Sequence, residues 1–555
     1  MKSNLKIAAV TPRVFVGDIK KNTTEIIKEI NNCDADLVVL PKNSVTGEIY
    51  EMRNFPIVAK STIAAIKKIA ANINTAAVIG FPFYDCDLAA FIKNKKVQGV
   101  VMLNDSRIET YAEIPFNVYD RTLSGPHQFA LDNKLKLAIY CEKELEDSYN
   151  FYDDIPNIIA IPAAYPAYIG GFENKKSLVR KISFRNKGAS VILSCSHPSD
   201  STKDFIYSGD KIIASKGQIL AAANLDNSTS IIASKDTAPL PCPIDTPHIY
   251  SFNIDNKKEV QETYDIIASG LYYRLNETSN KKVILGLSGG LDSACVLLLA
   301  VNAFDKYGLD RKDILAVSMP SHPTSDRTKN NAHTLAAELR VSFFEIPIAQ
   351  SISRHLRKIG HSKKDIVYEN TQSRERAKIL LDLSNKHGAL VLGTSNMAES
   401  ALGFSTYGGD ILAHYNPINS LTKTAVKTLV MNYADKTNEH KKLKSCIRDI
   451  LDTPISPELK KGQETENILG PYPLHEYFLL RILAFHETGN EIIEGAINAF
   501  PKMTKMQIKK YYKLFISRFF KNRFKSSFSC DGIRLFPYAL SNFNICWNFS
   551  GDLFN

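Results

Sequence analysis

A chain of 555 residues is too long for one hydrophobic core, so two or three domains are expected. The 44% hydrophobic content is that of a globular protein, and no apolar run of about 18 residues exists to span a membrane. The net charge of +11 suits anionic ligands, but the lysines are dispersed and no base-reading motif occurs, which argues against a nucleic-acid partner.

The N-terminus, MKSNLKIAAVTPRVFVGD, reads as a first strand rather than a signal peptide, because Pro, Arg and Asp end its short apolar run. Strand-like runs follow at Leu37–Leu40, Ala77–Gly80, Lys136–Tyr140, Ile158–Ile161 and Ser190–Leu193. Amphipathic stretches such as Asn22–Asn31 and Thr62–Ala71 lie between them, so residues 1–235 read as an α/β domain. Residues 236–258 read as a linker, with four prolines in DTAPLPCPIDTPH. A second βαβ series runs through 259–500, with strands at Val283–Leu287, Ile314–Met319, Val341–Ile346 and Leu390–Gly393. It predicts a doubly wound parallel sheet with its ligand at the strand C-termini. Residues 501–555, rich in Lys, Arg and Phe, read as a helix followed by an irregular tail. The nine cysteines are scattered, without a Cys-x-x-Cys pair, which reads as a reducing, cytoplasmic setting without structural zinc.

Residues 288–293, Ser-Gly-Gly-Leu-Asp-Ser, stand between an apolar β-branched run and an apolar run of helical length. Gly289 and Gly290 let the backbone turn sharply and expose N–H groups at a helix N-terminus, where an anion is favoured. Ser288 and Ser293 add hydroxyl donors, and Asp292 adds a hard oxygen suited to Mg²⁺ bound with phosphate. No Lys follows the glycines, so this is not the G-x-x-x-x-G-K-[ST] phosphate loop.

With ENTQSRER (369–376), VLGTSNMAESALGFSTYGGDILAHYNPINSLTK (391–423) and DTPISPELKKGQETENILGPY (452–472), the motif closely resembles NAD⁺ synthetase. The resemblance implies a PP-loop ATP pyrophosphatase fold, with ATP and Mg²⁺ used to adenylate deamido-NAD⁺ before amidation. By position, Ser288, Gly289, Gly290, Asp292, Ser293, Thr394 and Lys423 match ATP contacts. Asp292 and Glu399 match the Mg²⁺ carboxylates. Asn370, Arg374 and Asp410 match contacts to deamido-NAD⁺, with Arg376 a further candidate. The resemblance also implies a homo-oligomer. Other PP-loop enzymes and a non-catalytic nucleotide-binding protein are the competing readings; the intact motif, Glu399 and Lys423 argue against the latter.

Val16-Gly17-Asp18, Asn22 and ADLVVLP (35–41) resemble the nitrilase-like glutaminase domain of long-form NAD⁺ synthetases. An α-β-β-α sandwich is implied there, followed by the PP-loop domain. Such domains hydrolyse glutamine with Cys, Glu and Lys. LAIYCEKE (137–144) places Cys141 at the nucleophile position, beside Glu142. The base position holds Lys42, the lysine position holds Tyr111, and the segment near the nucleophile is AAYP (163–166), without serine. Glu48, Arg107 and Glu113 are near in sequence but out of register. Cys141 then reads as a buried strand-end cysteine, with free ammonia as the donor. Glutamine hydrolysis by a rearranged site is the alternative.

Overall fold

The computed structural model describes residues 5–104, 114–119, 127–132, 135–142, 155–200, 204–234, 251–254, 256–322, 324–437, 440–454, 465–528 and 530–540. Two compact units emerge: residues 1–202 with 206–249, and residues 203–205 with 250–555.

The first unit is built on two sheets. One runs in the order Ser230–Ser234, Lys6–Val10, Leu37–Val39, Ala76–Phe83, Cys86–Lys93, Lys96–Met102, Val118–Tyr119. The other runs Gln218–Ala223, Lys211–Ser215, Ser190–Cys195, Ile158–Ala163, Lys136–Ile139, Gln128–Ala130. Side chains alternate across a strand, and that alternation makes the layers. Ala8, Val10, Val38 and Leu40 face Ile26 and Ile30 of the helix Ile19–Asn32, and Ile63, Ile66 and Ile69 of Pro56–Asn72. Ile7, Ala9, Leu37 and Val39 turn the other way, into a core shared with Leu137, Ile139, Ile158, Ala160 and Ile192. Ala138, Ile159, Ile161, Val191 and Leu193 cover the far side against Val179 and Ile182 of the helix Gly171–Arg185. The result is the expected α-β-β-α sandwich. Because the period is two, a one-residue slip of any inner strand would exchange its two apolar faces.

In the second unit, the sheet order is Ser342–Glu345, Ile314–Ser318, Lys282–Gly286, Ala389–Leu392, Tyr415–Asn416, Asp531–Gly532, and every pairing is parallel. Ile284, Leu315, Val317 and Val391 pack one face against the helices Ala349–Lys358 and Ile366–His387. The alternate residues Val283, Leu285, Ile314 and Ala316 are fully buried on the other side. From Lys282–Gly286 the chain steps outward through two strands, then returns to the other flank at Ala389–Leu392. The strand order therefore reverses between these two neighbours, and a ligand crevice opens there in such sheets.

Two boundaries differ from the sequence reading. The helix Lys257–Glu277 begins inside the stretch read as linker, started by Asn256, whose side chain accepts the Lys258 and Glu259 N–H groups. Residues 235–250, which hold the four prolines, lie outside the described residues. After the expected helix Lys505–Lys521, the tail is not irregular throughout. Asp531–Gly532 adds an edge strand beside Tyr415–Asn416, and Ile533, Leu535, Phe536 and Ala539 are buried. Two residues of strand are too few to show a period in sequence. Among the described residues no helix is long and apolar enough to cross a membrane.

Candidate active site

The loop 288–290 joins the strand Lys282–Gly286 to the helix Leu291–Lys306. Gly289 takes φ +85, in the left-handed region where only glycine is at ease. The two serine hydroxyls tie the turn together, 3.0 Å apart. Ser288 Oγ accepts the Gly290 N–H at 3.1 Å, and Ser293 Oγ accepts the Ser288 N–H at 3.2 Å. No side chain caps the helix at Gly290. Its first-turn N–H groups have no intrahelical partner and remain for an anion. Thr394, half-buried, follows the adjacent strand, so it lies beside this loop at the same end of the sheet.

Asp292 and Glu399 converge on one cation. Lys423 Nζ lies 2.6 Å from Asp292 Oδ2 and 2.9 Å from Glu399 Oε1. The lysine side chain is 4% exposed, whereas the carboxylates keep 23% and 19%. Burial alone would pull the ammonium down, but Asp292 and Glu399 reverse this and raise its pKa. Burial raises the Glu399 pKa, with Lys423 opposing and Asp292 adding to the rise. Lys423 opens the helix Lys423–Lys436, an unfavourable end for a cation. Glu476 offsets this by accepting the Thr424 N–H at 3.0 Å, and Tyr472 places its ring 5.4 Å from Lys423 Nζ. Two neighbouring hard carboxylates suit Mg²⁺, which takes one or two such groups together with substrate phosphates, so this donor set fits the ion.

Asn396, Tyr472 and Glu476 were missed by the sequence reading. Asn396 had a signal: Asn-Met-Ala-Glu is a capping-box pattern, and both of its bonds form, with Asn396 and Glu399 at the start of Met397–Leu402. Tyr472 and Glu476 reach Lys423 only through tertiary folding and left no local pattern.

A second group forms around the 406–410 turn. Asn370 and Arg374 are one helical turn apart on Ile366–His387. Asn370 Oδ1 accepts from Thr406 Oγ1 at 3.0 Å, and Arg374 Nε donates to the Tyr407 carbonyl at 3.3 Å. Asp410 Oδ1 accepts the Thr406 N–H at 2.6 Å. Burial raises the Asp410 pKa, while hydrogen bonds from Thr406 and Ser373 oppose the rise. Ser395 Oγ donates to the Asp410 carbonyl at 3.4 Å, joining this group to the carboxylate site one residue away at Asn396. Arg376 turns elsewhere, to the Met319 carbonyl and Ser321 Oγ. From the C-terminal segment, Lys525 Nζ donates to the Gly403 and Ser405 carbonyls at 2.7 and 2.8 Å, and the Phe524 ring lies 5.6 Å from Tyr407.

In the first unit, Cys141 follows the strand Lys136–Ile139 and is 7% exposed. Lys42 Nζ lies 2.7 Å from Asp87 Oδ2 and 3.7 Å from Glu142 Oε1. Burial opposes its charge, but Glu142, Asp87 and the Cys141 thiol raise its pKa, so Lys42 is a fixed cation. Arg53 is a second cation on Asp87, at 2.5 Å. Nothing local in the sequence marked Asp87 or Arg53. Glu142 Oε2 is held by the Ala164 N–H at 2.6 Å. Glu48 belongs to a separate network with Asn43, Asp200 and Tyr207. Arg107, Tyr111 and Glu113 lie outside the described residues.

Residues 263–523 match the family described as NAD synthase. A glutamine-dependent NAD(+) synthetase of Mycobacterium leprae is 28% identical, over 87% of this chain and 83% of the relative. One from Xanthomonas campestris is 26% identical over 89% and 90%. The crystal structure of a glutamine-dependent NAD(+) synthetase from Cytophaga hutchinsonii shares the fold, with a TM-score of 0.76 over 98% of both chains at 18% identity. With a two-sheet sandwich followed by a parallel sheet, the chain is similar over most of its length to long-form glutamine-dependent NAD⁺ synthetases, and its second unit carries the NAD synthase match.

Proposed function

We propose that the chain converts deamido-NAD⁺ to NAD⁺ with ATP, Mg²⁺ and free ammonia. The observation that carries this reading is the convergence of Asp292, Glu399 and Lys423 beside the 288–293 loop. In the proposed reaction a nicotinate carboxylate oxygen attacks the α-phosphorus of ATP, and pyrophosphate leaves. Ammonia then attacks the acyl carbon, loses a proton, and expels AMP. The loop N–H groups and serine hydroxyls hold the departing pyrophosphate, and Lys423 balances phosphate charge. Asp292 and Glu399 would hold Mg²⁺, which neutralises charge on the leaving group. Asn370, Arg374 and Asp410 would hold deamido-NAD⁺. Free thiols, buried at six of the seven described cysteines, support a cytoplasmic setting, and the reading includes a homo-oligomer.

Free ammonia is favoured over glutamine because Lys42 stands where a general base is required. A cation there has no site to accept a proton, and loss of a base costs about 10²–10⁴ in rate. The names of the M. leprae and X. campestris relatives favour a second reading, in which Cys141 still hydrolyses glutamine. The test is amide formation with glutamine or ammonium as the donor, following AMP and pyrophosphate. Ammonium-supported turnover with little glutamate release is expected. Glutamate released in step with NAD⁺, and lost in Cys141→Ala, would establish the second reading. ADP as the product would sink both.

A further inference from the structure

Each carboxylate of the candidate metal pair uses its two oxygens differently. Asp292 Oδ2 and Glu399 Oε1 point at the Lys423 ammonium. The other two oxygens both end on Asn396. Its Nδ2 donates to Asp292 Oδ1 at 3.0 Å, and its backbone N–H donates to Glu399 Oε2 at 3.4 Å. Its Oδ1 accepts the Glu399 N–H at 3.1 Å. Asn396 is fully buried, and its neighbour is held too, since Asn416 Nδ2 donates to the Ser395 carbonyl at 2.8 Å.

An ordinary helix cap explains only part of this. A capping Asn needs its side-chain oxygen on the third N–H of the helix. The amide nitrogen is then surplus, and here it reaches across to a carboxylate 104 residues earlier in the chain. A carboxylate rotates about its terminal bond unless something holds one oxygen. Asn396 supplies that hold for both groups.

We infer that Asn396 is a positioning residue, which turns one oxygen of Asp292 and one of Glu399 toward a shared cation position. The inference rests on the proposed Mg²⁺ reading of that pair. Partners that orient metal ligands commonly govern affinity by 10–100-fold.

The test compares the full-length wild type with Asn396→Ser and Asn396→Ala. Serine is a good helix cap, retains the backbone N–H, and is too short to reach Asp292. Mn²⁺, as a probe for the Mg²⁺ position, is titrated without substrates and free ion is counted by electron paramagnetic resonance. Thermal midpoints are measured beside it. The expected result is an unchanged midpoint in Asn396→Ser, with Mn²⁺ bound at least about tenfold more weakly than in the wild type. Wild-type Mn²⁺ affinity in Asn396→Ser would overturn the inference. So would a midpoint that falls as far in Asn396→Ser as in Asn396→Ala, because the residue would then be only structural. A wild type that binds no Mn²⁺ would overturn it as well. Conversion of ATP to AMP and pyrophosphate by the wild type is followed separately. Its absence would sink the proposed reaction while leaving the binding comparison to stand on its own.

Discussion

Gly289 lies against the carbonyl of Thr328 so closely that a Cβ on the glycine would stand 2.0 Å from the oxygen. The contact joins the motif loop to the helix Asp326–Leu339, and two separate constraints fall on one residue. The positive φ costs a side-chain-bearing residue about 1–2 kcal/mol, and the carbonyl is backbone, which cannot swing aside. Gly289→Ala should therefore move the loop, lower the unfolding midpoint, and raise the KM for ATP. Gly308 is the control, since it has φ +66 and open space around it. Gly308→Ala should show the strain alone, about 1–2 kcal/mol, with ATP kinetics unchanged. Equal effects from the two substitutions would refute the packing argument.

Arg374 is exposed, and among the described residues its guanidinium bonds a backbone carbonyl through Nε. In the proposed function its guanidinium meets the anionic dinucleotide. Arg374→Ala should raise the KM for deamido-NAD⁺ by about tenfold or more, as expected for 1.5–3 kcal/mol of charged hydrogen bonding. The KM for ATP should move little. A matching rise for both substrates would remove Arg374 from the dinucleotide site.

Lys525 holds the same loop a few residues earlier. Its two bonds to the Gly403 and Ser405 carbonyls hold the strand of loop leading to Thr406 and Asp410. Lys525→Met should weaken deamido-NAD⁺ binding more than it lowers the unfolding midpoint. Pre-steady-state kinetics would separate the two. A large loss of stability with unchanged substrate binding would mean that the lysine only anchors the tail.

Lys211, in the first unit, is fully buried, and its Nζ donates to the Gly209 and Leu225 carbonyls. Burial lowers its pKa to about 8 from an ordinary 10.5, with Asp210 opposing. Between those values the unfolded chain holds a proton that the folded chain has shed, so stability rises with pH through that window. Below pH 8 the full cost of the buried charge is present. Lys211→Met lacks this dependence. The stability of the variant relative to wild type should therefore fall from pH 7 to pH 10, by up to about 3 kcal/mol at 1.36 kcal/mol per unit. Denaturant unfolding at both pH values measures it, and a constant difference would refute the account.

The motif loop was legible in sequence because glycines, hydroxyls and a carboxylate fall within six neighbouring residues, between apolar runs of recognisable length. Asp292, Glu399 and Lys423 carried their roles by resemblance to a family, and folding brings them to one point. Asn396 was half legible: its capping box is local, but its bond to Asp292 spans the sheet switch point. The pairing of Lys42 with Asp87 had no sequence signal, because Asp87 starts a hairpin strand and looks like any turn carboxylate. Periodicity marked inner strands of both units, such as Leu37–Val39 and Lys282–Gly286, but not the hairpin Cys86–Lys93 and Lys96–Met102. The edge strand at Asp531–Gly532 was not, since parallel pairing to Tyr415–Asn416 needs a partner before it has a pattern.

That edge strand bears on the order of events during synthesis. In the first unit, Lys6–Val10 is bracketed by Leu37–Val39 and Ser230–Ser234, so its sheet can close when fewer than half of the residues have been made. The second sheet starts at Lys282 and waits for Asp531 before its last described neighbour is in place. Pairings so distant in sequence form slowly. On the ribosome, the sandwich can be folded while Tyr415–Asn416 still lacks its outer neighbour. That interval is when the nascent chain is most exposed to edge-to-edge association.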